Sequence, residues 1–460
     1  MSEIRDYQVD HLLLLVGSNP LPNAVAGKLL TVQGGKISLI HSKDGSDLAG
    51  RLAAWFRNAG YVDIGLKQVE ESDAASVRRE VSRAIEEYEQ AYTETNQTHT
   101  ARVGLNYTGG TKVMSTHAYR TLEQWASVHK REAVFSYLDA RTLHIRFEQI
   151  TGWPPISFYV GLELDMSIRD LLKLHNWELT KEPITVPGLP ESAAALLAIH
   201  SNAANARIWT EWLHNDLFPI ARKRVAIRPP FWVFQSGKEL QGQYNVEQPA
   251  PNDQWKSKSK LRGQAISWPN LPVLRETMSK ELGQGGAENL DLTTATGLNR
   301  CKDEVEFCKW LSGIWLEYAV LSALQHCAQE LHLNDYCMDL RPRVLDSEEK
   351  GELFQFDVVA IRGYQLFAFS CTTGSAKENG GRARLKHRLF EAYVRTRQMG
   401  GDEACVALVC CMNQEEADRL EDEMRRDISP EGRIRVFGRE HLVNLTGHIE
   451  NWVREQSKEE

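Results

Sequence analysis

Cysteine is missing from the first 300 residues of this 460-residue chain. All eight cysteines (Cys301, Cys308, Cys327, Cys337, Cys371, Cys405, Cys410 and Cys411) fall in the last third or so, and no two are spaced as C-x2-C. Zinc sites draw on such paired short spacings, so reduced thiols packed in a core are the expectation. Long apolar runs are also lacking. The longest, Ala404 to Met412, falls far short of the ~18 residues that span a bilayer. The N-terminus carries Glu3, Arg5 and Asp6 and no signal-peptide core, which points to the cytoplasm. Nor is there an excess of positive charge: the formal net charge is −8. That argues against a general nucleic-acid coat protein, because phosphate binding needs positive surface, but leaves room for a local basic groove. What is present is ordinary globular composition, 42% hydrophobic and 25% charged. It excludes a disordered chain, a collagen-like fibre and a small disulfide scaffold. At roughly 100 to 200 residues per domain, the length predicts two to four domains.

Three regions differ in pattern. Over residues 1–150 strand-like runs at His11–Val16, Lys36–His41, Ile64–Val69, Arg102–Tyr107 and Ala133–Leu138 alternate with helical periodicity. Leu48, Leu52, Trp55 and Phe56 carry one helix; Val77, Val81, Ile85 and Tyr88 carry another. Alternation of this kind predicts a doubly wound, Rossmann-like parallel sheet, with a ligand site beyond the carboxyl ends of its strands. Residues 151–300 hold twelve of the sixteen prolines and seven of the twelve tryptophans, and read as a mixed linker or helical module. Helices are expected at Met166–His175 and Ser192–Leu213, and an exposed polar loop within Lys238–Lys260. From 301 to 460 the pattern firms into a second α/β unit. It comprises a long helix over Glu304–Leu331, strands at Phe354–Ala360 and Tyr364–Cys371, a helix over Arg382–Gln398, and the strand Ala404–Met412.

The strongest local signal is Asn106-Tyr107-Thr108-Gly109-Gly110-Thr111-Lys112, directly after a strand and opening a helix. Two glycines allow close backbone approach to a ligand. The helix start favours a phosphate; the threonines add hydroxyls and Lys112 a charge. The spacing is not that of a Walker A loop. A second loop, Gly17-Ser18-Asn19-Pro20-Leu21-Pro22-Asn23, follows the first strand, and Ser42 ends the second. Together these segments resemble the CARF domain, the CRISPR-associated Rossmann fold of type III CRISPR ancillary effectors, over roughly residues 8–150. The resemblance implies a homodimer whose facing pockets bind one cyclic oligoadenylate. Ser18, Asn19, Ser42, Thr108, Gly109, Gly110, Thr111 and Lys112 would contact that messenger. A Rossmann domain for another nucleotide is the plainer alternative.

In the third region Glu317 lies on the long helix and Asp357 on a strand forty residues later. This order is similar to the PD-(D/E)xK nuclease domains of CARF effectors, a restriction-endonuclease-like fold. The resemblance implies that Glu317 and Asp357 hold Mg2+ or Mn2+ as metal ligands and catalytic acids, with a lysine to neutralise developing charge. Where that family has E-x-K, this chain reads Ser370-Cys371-Thr372. Lys377, Lys386 or His387 are candidates to replace the lysine, Lys386 being preferred, and Glu352 or Glu391 to replace the acid. Otherwise the nuclease centre is lost. Between Lys377 and Arg397 seven basic residues face two acidic ones, a local charge of +5. Lys377, Arg382, Arg384 and Arg388 are therefore expected to track a DNA or RNA backbone, with Lys256–Arg262 and Arg222–Arg224 as weaker second walls. The sequence thus points to a cytoplasmic, messenger-activated and metal-dependent endonuclease. A messenger-gated non-catalytic binder and a ring nuclease acting on the messenger itself stand as alternatives.

Overall fold

The computed structural model describes residues 3–95, 101–148, 156–226, 234–235, 238–239, 247–249, 255–294, 296, 301–345, 351–374, 381–429 and 432–457. Lys377 and most of the predicted polar loop within Lys238–Lys260 lie outside the described residues.

The N-terminal sheet takes β1 (Val9–Leu15), β2 (Thr31–His41), β3 (Ile64–Gln68), β4 (Val103–Asn106), β5 (Ala133–Asp139), β6 (His144–Phe147) and β7 (Ile156–Tyr159) in the order β3-β2-β1-β4-β5-β6-β7. The first five are parallel; the central β1 and β4 are almost wholly buried, as strands covered on both faces must be, while β3 at the edge is partly exposed. The last two run antiparallel, so the sheet is mixed. The reason lies in the connection: only residues 140–143 separate β5 from β6, too few for a crossover helix. Helices α1 (Leu21–Leu30) and α2 (Ser46–Asn58) cover one face; α3 (Ala74–Thr95) and α4 (Lys112–His129) cover the other.

The middle of the chain supplies α5 (Ile168–Leu174), α6 (Pro190–His200), α7 (Ala203–Trp212) and α8 (Pro272–Glu281). Where one helix was expected over Ser192–Leu213 there are two, because Asn202 turns outward and caps α7, accepting from the Ala204 and Asn205 amides at 2.9 and 3.2 Å.

A second sheet, β8 (Leu333–Leu340), β9 (Phe356–Arg362), β10 (Gln365–Thr372), β11 (Cys405–Cys410) and β12 (Ile434–Phe437), is antiparallel through β10 and parallel beyond it. The expected long helix breaks into α9 (Glu304–Lys309), a π-turn over Trp310–Ile314, and α10 (Trp315–Cys327). The break falls at Gly313, where a Cβ would lie 3.1 Å from the Thr373 hydroxyl at the end of β10. Crossover helices α11 (Gly381–Gly400) and α12 (Gln414–Ile428) follow, and α13 (Leu445–Ser457) closes the chain. On β10, Phe367, Phe369 and Cys371 face α10 and α13, while Leu366 and Ala368 face Leu385 and Leu389 of α11. Ser370 and Thr372 extend that second row.

The two sheets share one buried cluster, in which Leu12 and Leu14 join Leu366, Ala368 and Leu389. Helices α6, α7 and α8 share another with α10 and α13, while α5 packs into the first. All eight cysteines are buried free thiols. Among the described residues no helix is long and apolar enough to cross a membrane.

Candidate functional site

Two sites emerge, one on each sheet. At the first, β4 ends on the buried side chain of Asn106, which organises the loop that follows. Its amide donates to the Ser136 hydroxyl at 3.1 Å, and its carbonyl oxygen accepts from the Thr108 hydroxyl at 2.7 Å. The Thr108 oxygen accepts in turn from the Leu138 amide at 2.7 Å. The Thr108 proton is therefore committed to shaping the loop. Gly109 and Gly110 then pass against the β1 end: a Cβ on Gly17 would stand 3.1 Å from the Gly110 nitrogen. Gly110 also has φ +77°, in the left-handed region. Thr111 caps α4, accepting from the Met114 amide at 3.2 Å, and Lys112 in the first turn is exposed.

On the adjoining loop Ser18 is exposed, and the Asn19 side-chain oxygen accepts from the Leu21 amide at 3.0 Å. The Ser42 hydroxyl accepts from the Gly45 amide at 3.1 Å. Since β2, β1 and β4 are neighbours, Ser18, Asn19, Ser42 and residues 108–112 gather at one edge. Open amides at the start of α4 and the positive end of its dipole suit an anion there. Sequence reasoning passed over Asn23. Its amide donates to the Leu15 carbonyl at 2.9 Å, while its oxygen is buried near Gly109 without a partner among the described residues.

The second site lies at the carboxyl end of β10. The antiparallel register places Asp357 opposite Ser370. Asp357 Oδ2 accepts from the Cys371 amide at 2.8 Å, the Ser370 hydroxyl at 3.2 Å and the Arg388 guanidinium at 3.1 Å. Glu317 approaches from the first turn of α10. Burial, then the charges of Asp357 and Asp339, push its carboxyl well above the usual range, while Arg388 and Arg341 pull it back. Thr372 continues the strand with only its hydroxyl.

The basic residues of α11 divide by face. Arg382 and Lys386 bind α12: Arg382 pairs with Glu423 at 2.9 Å, and Lys386 with Glu423 and, at 3.3 Å, with Asp427. Lys386 therefore does not meet Asp357. Arg384 and Arg388, four residues apart, line a groove of 860 Å³ between α7 and the ends of β10 and β11. Arg207, Arg222 and Arg439 border the same groove, against Glu416. Of these five arginines, Arg222, Arg384 and Arg388 stood among the sequence candidates for a basic groove; Arg207 and Arg439 join them only in the fold. A smaller cavity of 370 Å³ holds Asp357, Ser370 and Glu391, and Arg388 borders it as well. Glu352, the other candidate acid, is paired with Arg341 at 3.0 Å.

As for a divalent cation, the described residues bring no three His, Cys, Asp or Glu side chains together. Two like-charged carboxylates, one of them strongly desolvated, nevertheless suit one cation that takes its remaining ligands from water and a substrate phosphate. The arrangement fits a single ion rather than a pair.

This two-sheet fold is shared with solved structures over almost its whole length. A protein designated VC1899 from Vibrio cholerae superposes with a TM-score of 0.63 at 14% identity, covering 97% of this chain and 98% of that one. Can2 from Sulfobacillus thermosulfidooxidans, in complex with cyclic tetra-adenylate, superposes with a TM-score of 0.59 at 14% identity, covering 96% and 99%. At this identity the likeness is one of fold. No protein-family profile and no curated protein matches the chain.

Proposed function

We propose that the protein is a cyclic-oligoadenylate-responsive effector of type III CRISPR defence, with a CARF-type sensor in residues 1–150, a middle module in 151–300 and a nuclease-like effector in 301–460. The observation that carries the reading is the end-to-end likeness to Can2, a protein solved with cyclic tetra-adenylate. The CARF-like loops of this chain gather at the same edge of its first sheet, as an anionic ligand requires. In this reading two copies face each other and hold one messenger between their Ser18, Asn19, Ser42 and Thr108–Lys112 loops. Messenger that binds one arrangement of the dimer better than another shifts the population towards it.

The effector half is a metal-dependent endonuclease acting on DNA or RNA along the groove of Arg384 and Arg388. Glu317 and Asp357 would hold Mg2+ or Mn2+, which supplies an activated water and charge neutralisation at phosphorus. The Cys371 amide and Ser370 hydroxyl fix the Asp357 carboxylate in place. One feature supports a second, non-catalytic reading: Ser370 and Thr372 stand where a nuclease centre has glutamate and lysine.

Calorimetric titration with cyclic tetra-adenylate tests the sensor, with one ring per two chains as the expected ratio. Incubation of plasmid or single-stranded RNA with Mn2+, with and without the ring, tests the effector. Ring-dependent cutting is expected. Binding of the ring with no cutting under any metal supports the non-catalytic binder, and absence of ring binding sinks the sensor.

A further inference from the structure

The proposed effector lacks a cation on its central strand, and the fold supplies one from a helix. Thr372 occupies the strand position of the missing lysine and carries no charge. Lys386 is consumed by Glu423 and Asp427 on α12. Arg395 lies over the Phe354 ring, 5.1 Å from its centre, and donates to Gln398 at 3.1 Å. Arg388 differs from both. Its guanidinium reaches Asp357 Oδ2 at 3.1 Å, is 46% exposed, and borders the large basic groove as well as the small cavity at Asp357. It therefore stands where a nucleic-acid backbone lying in the groove would pass the two carboxylates.

We propose that Arg388 is the catalytic cation of this chain, meeting the scissile phosphate from α11 in place of the lysine that β10 lacks. The inference rests on the reading of the third region as a nuclease-fold effector. A guanidinium offers two parallel N–H donors to two phosphate oxygens and stays protonated at any working pH. Arg388 can turn from Asp357 to a phosphate without orphaning the carboxylate, because the Cys371 amide and Ser370 hydroxyl remain on the same oxygen. In the hydrolysis a water oxygen bonds to phosphorus and one P–O ester bond breaks. One water proton ends on the leaving oxygen and the other passes to solvent. Arg388 gains and loses no proton; it stabilises the extra negative charge on the non-bridging oxygens.

The test compares R388Q, R388K and R384Q with the wild type in the full chain. Each variant is first checked for an unchanged thermal melt and unchanged cyclic tetra-adenylate binding. Affinity for a fluorescent oligonucleotide is then measured in EDTA across a salt series, and ring-dependent cleavage under Mn2+ at saturating oligonucleotide. R388Q is expected to lower the salt slope by about 1 and cleavage by about 100-fold or more. R388K should recover cleavage to within about tenfold of wild type, and R384Q should lose at least tenfold less cleavage than R388Q. R388Q cutting within about threefold of wild type, or an unchanged salt slope, overturns the proposal. If the wild type cuts under no metal, the nuclease reading fails by itself, and the salt slope in EDTA decides whether Arg388 meets a phosphate.

Discussion

Gly109 stands where the backbones of two neighbouring strands come closest. A Cβ built there would lie 2.2 Å from the Leu15 carbonyl oxygen, well inside any real contact. That oxygen is backbone and already accepts from the Asn23 amide, so it cannot swing aside. Gly109→Ala must therefore separate the β1 and β4 loops that the proposed messenger site joins. The expected outcome is at least a tenfold loss of cyclic tetra-adenylate affinity by calorimetry, with roughly 1–3 kcal/mol lost in urea unfolding. A variant that binds the ring normally would show that the loops do not act together. The same scale shows why the sequence offers Lys386 for the missing lysine and Arg388 only for the groove. The two differ by two positions, about 200° around a helix. Which of them meets Asp357 depends on which face packs on the sheet, and the buried row Leu385, Leu389, Tyr393 and Thr396 decides it. The four-residue spacing of Arg384 and Arg388, read against Arg382 and Lys386, was the available signal.

α11 links the two sites. Arg388 sits on its second turn, against Asp357; at its far end Gly400 packs on Leu366 and Gly401 turns the chain with φ +75°. A Cβ on Gly401 would fall 2.2 Å from the side-chain Nδ2 of Asn19, on the loop after β1, and 2.7 Å from Glu403 Oε2. The helix end is also pinned from α5's flank, where the His175 ring nitrogen donates to the Met399 carbonyl at 2.9 Å. Gly401→Ala is expected to be strained by its backbone angle and to push on Asn19, costing roughly 1–3 kcal/mol of stability. It should also weaken cyclic tetra-adenylate binding while leaving oligonucleotide affinity in EDTA close to wild type. Equal losses at both sites would mean general damage rather than a local contact. Elements of this length were legible in the sequence. The first five strands fall within a residue or two of their expected ends, apart from the early start of β2, and the two expected helical periodicities lie on α2 and α3, because apolar runs and 3.6-residue periods are local properties; α1, which begins at Leu21 inside the segment read as a loop, was not anticipated. The antiparallel β6 and β7, the break at Gly313 and the meeting of α7 with α11 across the basic groove depend on loop length and distant packing. No local pattern carries those.

At the scale of the whole molecule, the seam between the sheets holds charges that water does not reach. Arg433, buried in the second unit, donates to the Ala140 and Arg141 carbonyls of the first at 2.8 and 3.0 Å. Beside it Glu403 is 1% exposed, and neither carboxylate oxygen has a partner among the described residues. Burial pushes its pKa up to about 7, reinforced by Asp402 and opposed by the residue's own nearby backbone N–H and by the Arg433 and Arg397 charges. A carboxyl whose folded pKa lies above its unfolded value near 4.5 stabilises the fold fully below pH 4.5. That contribution is lost as pH rises to about 7, a change of roughly 3 kcal/mol. The buried His11 and His200 and the partly buried His175 act in the opposite sense. Burial lowers them to about 3, 4 and 4, so their contribution is lost as pH falls below 6.5. The total profile therefore mixes both slopes, and only a difference between variants isolates Glu403. Glu403→Gln keeps the shape and removes the titration. Its urea midpoint should match wild type near pH 4.5 and exceed it at pH 8. A gap of the same size at both pH values would mean that the Glu403 carboxyl is already paired in solution and that the seam does not carry a buried, titrating acid.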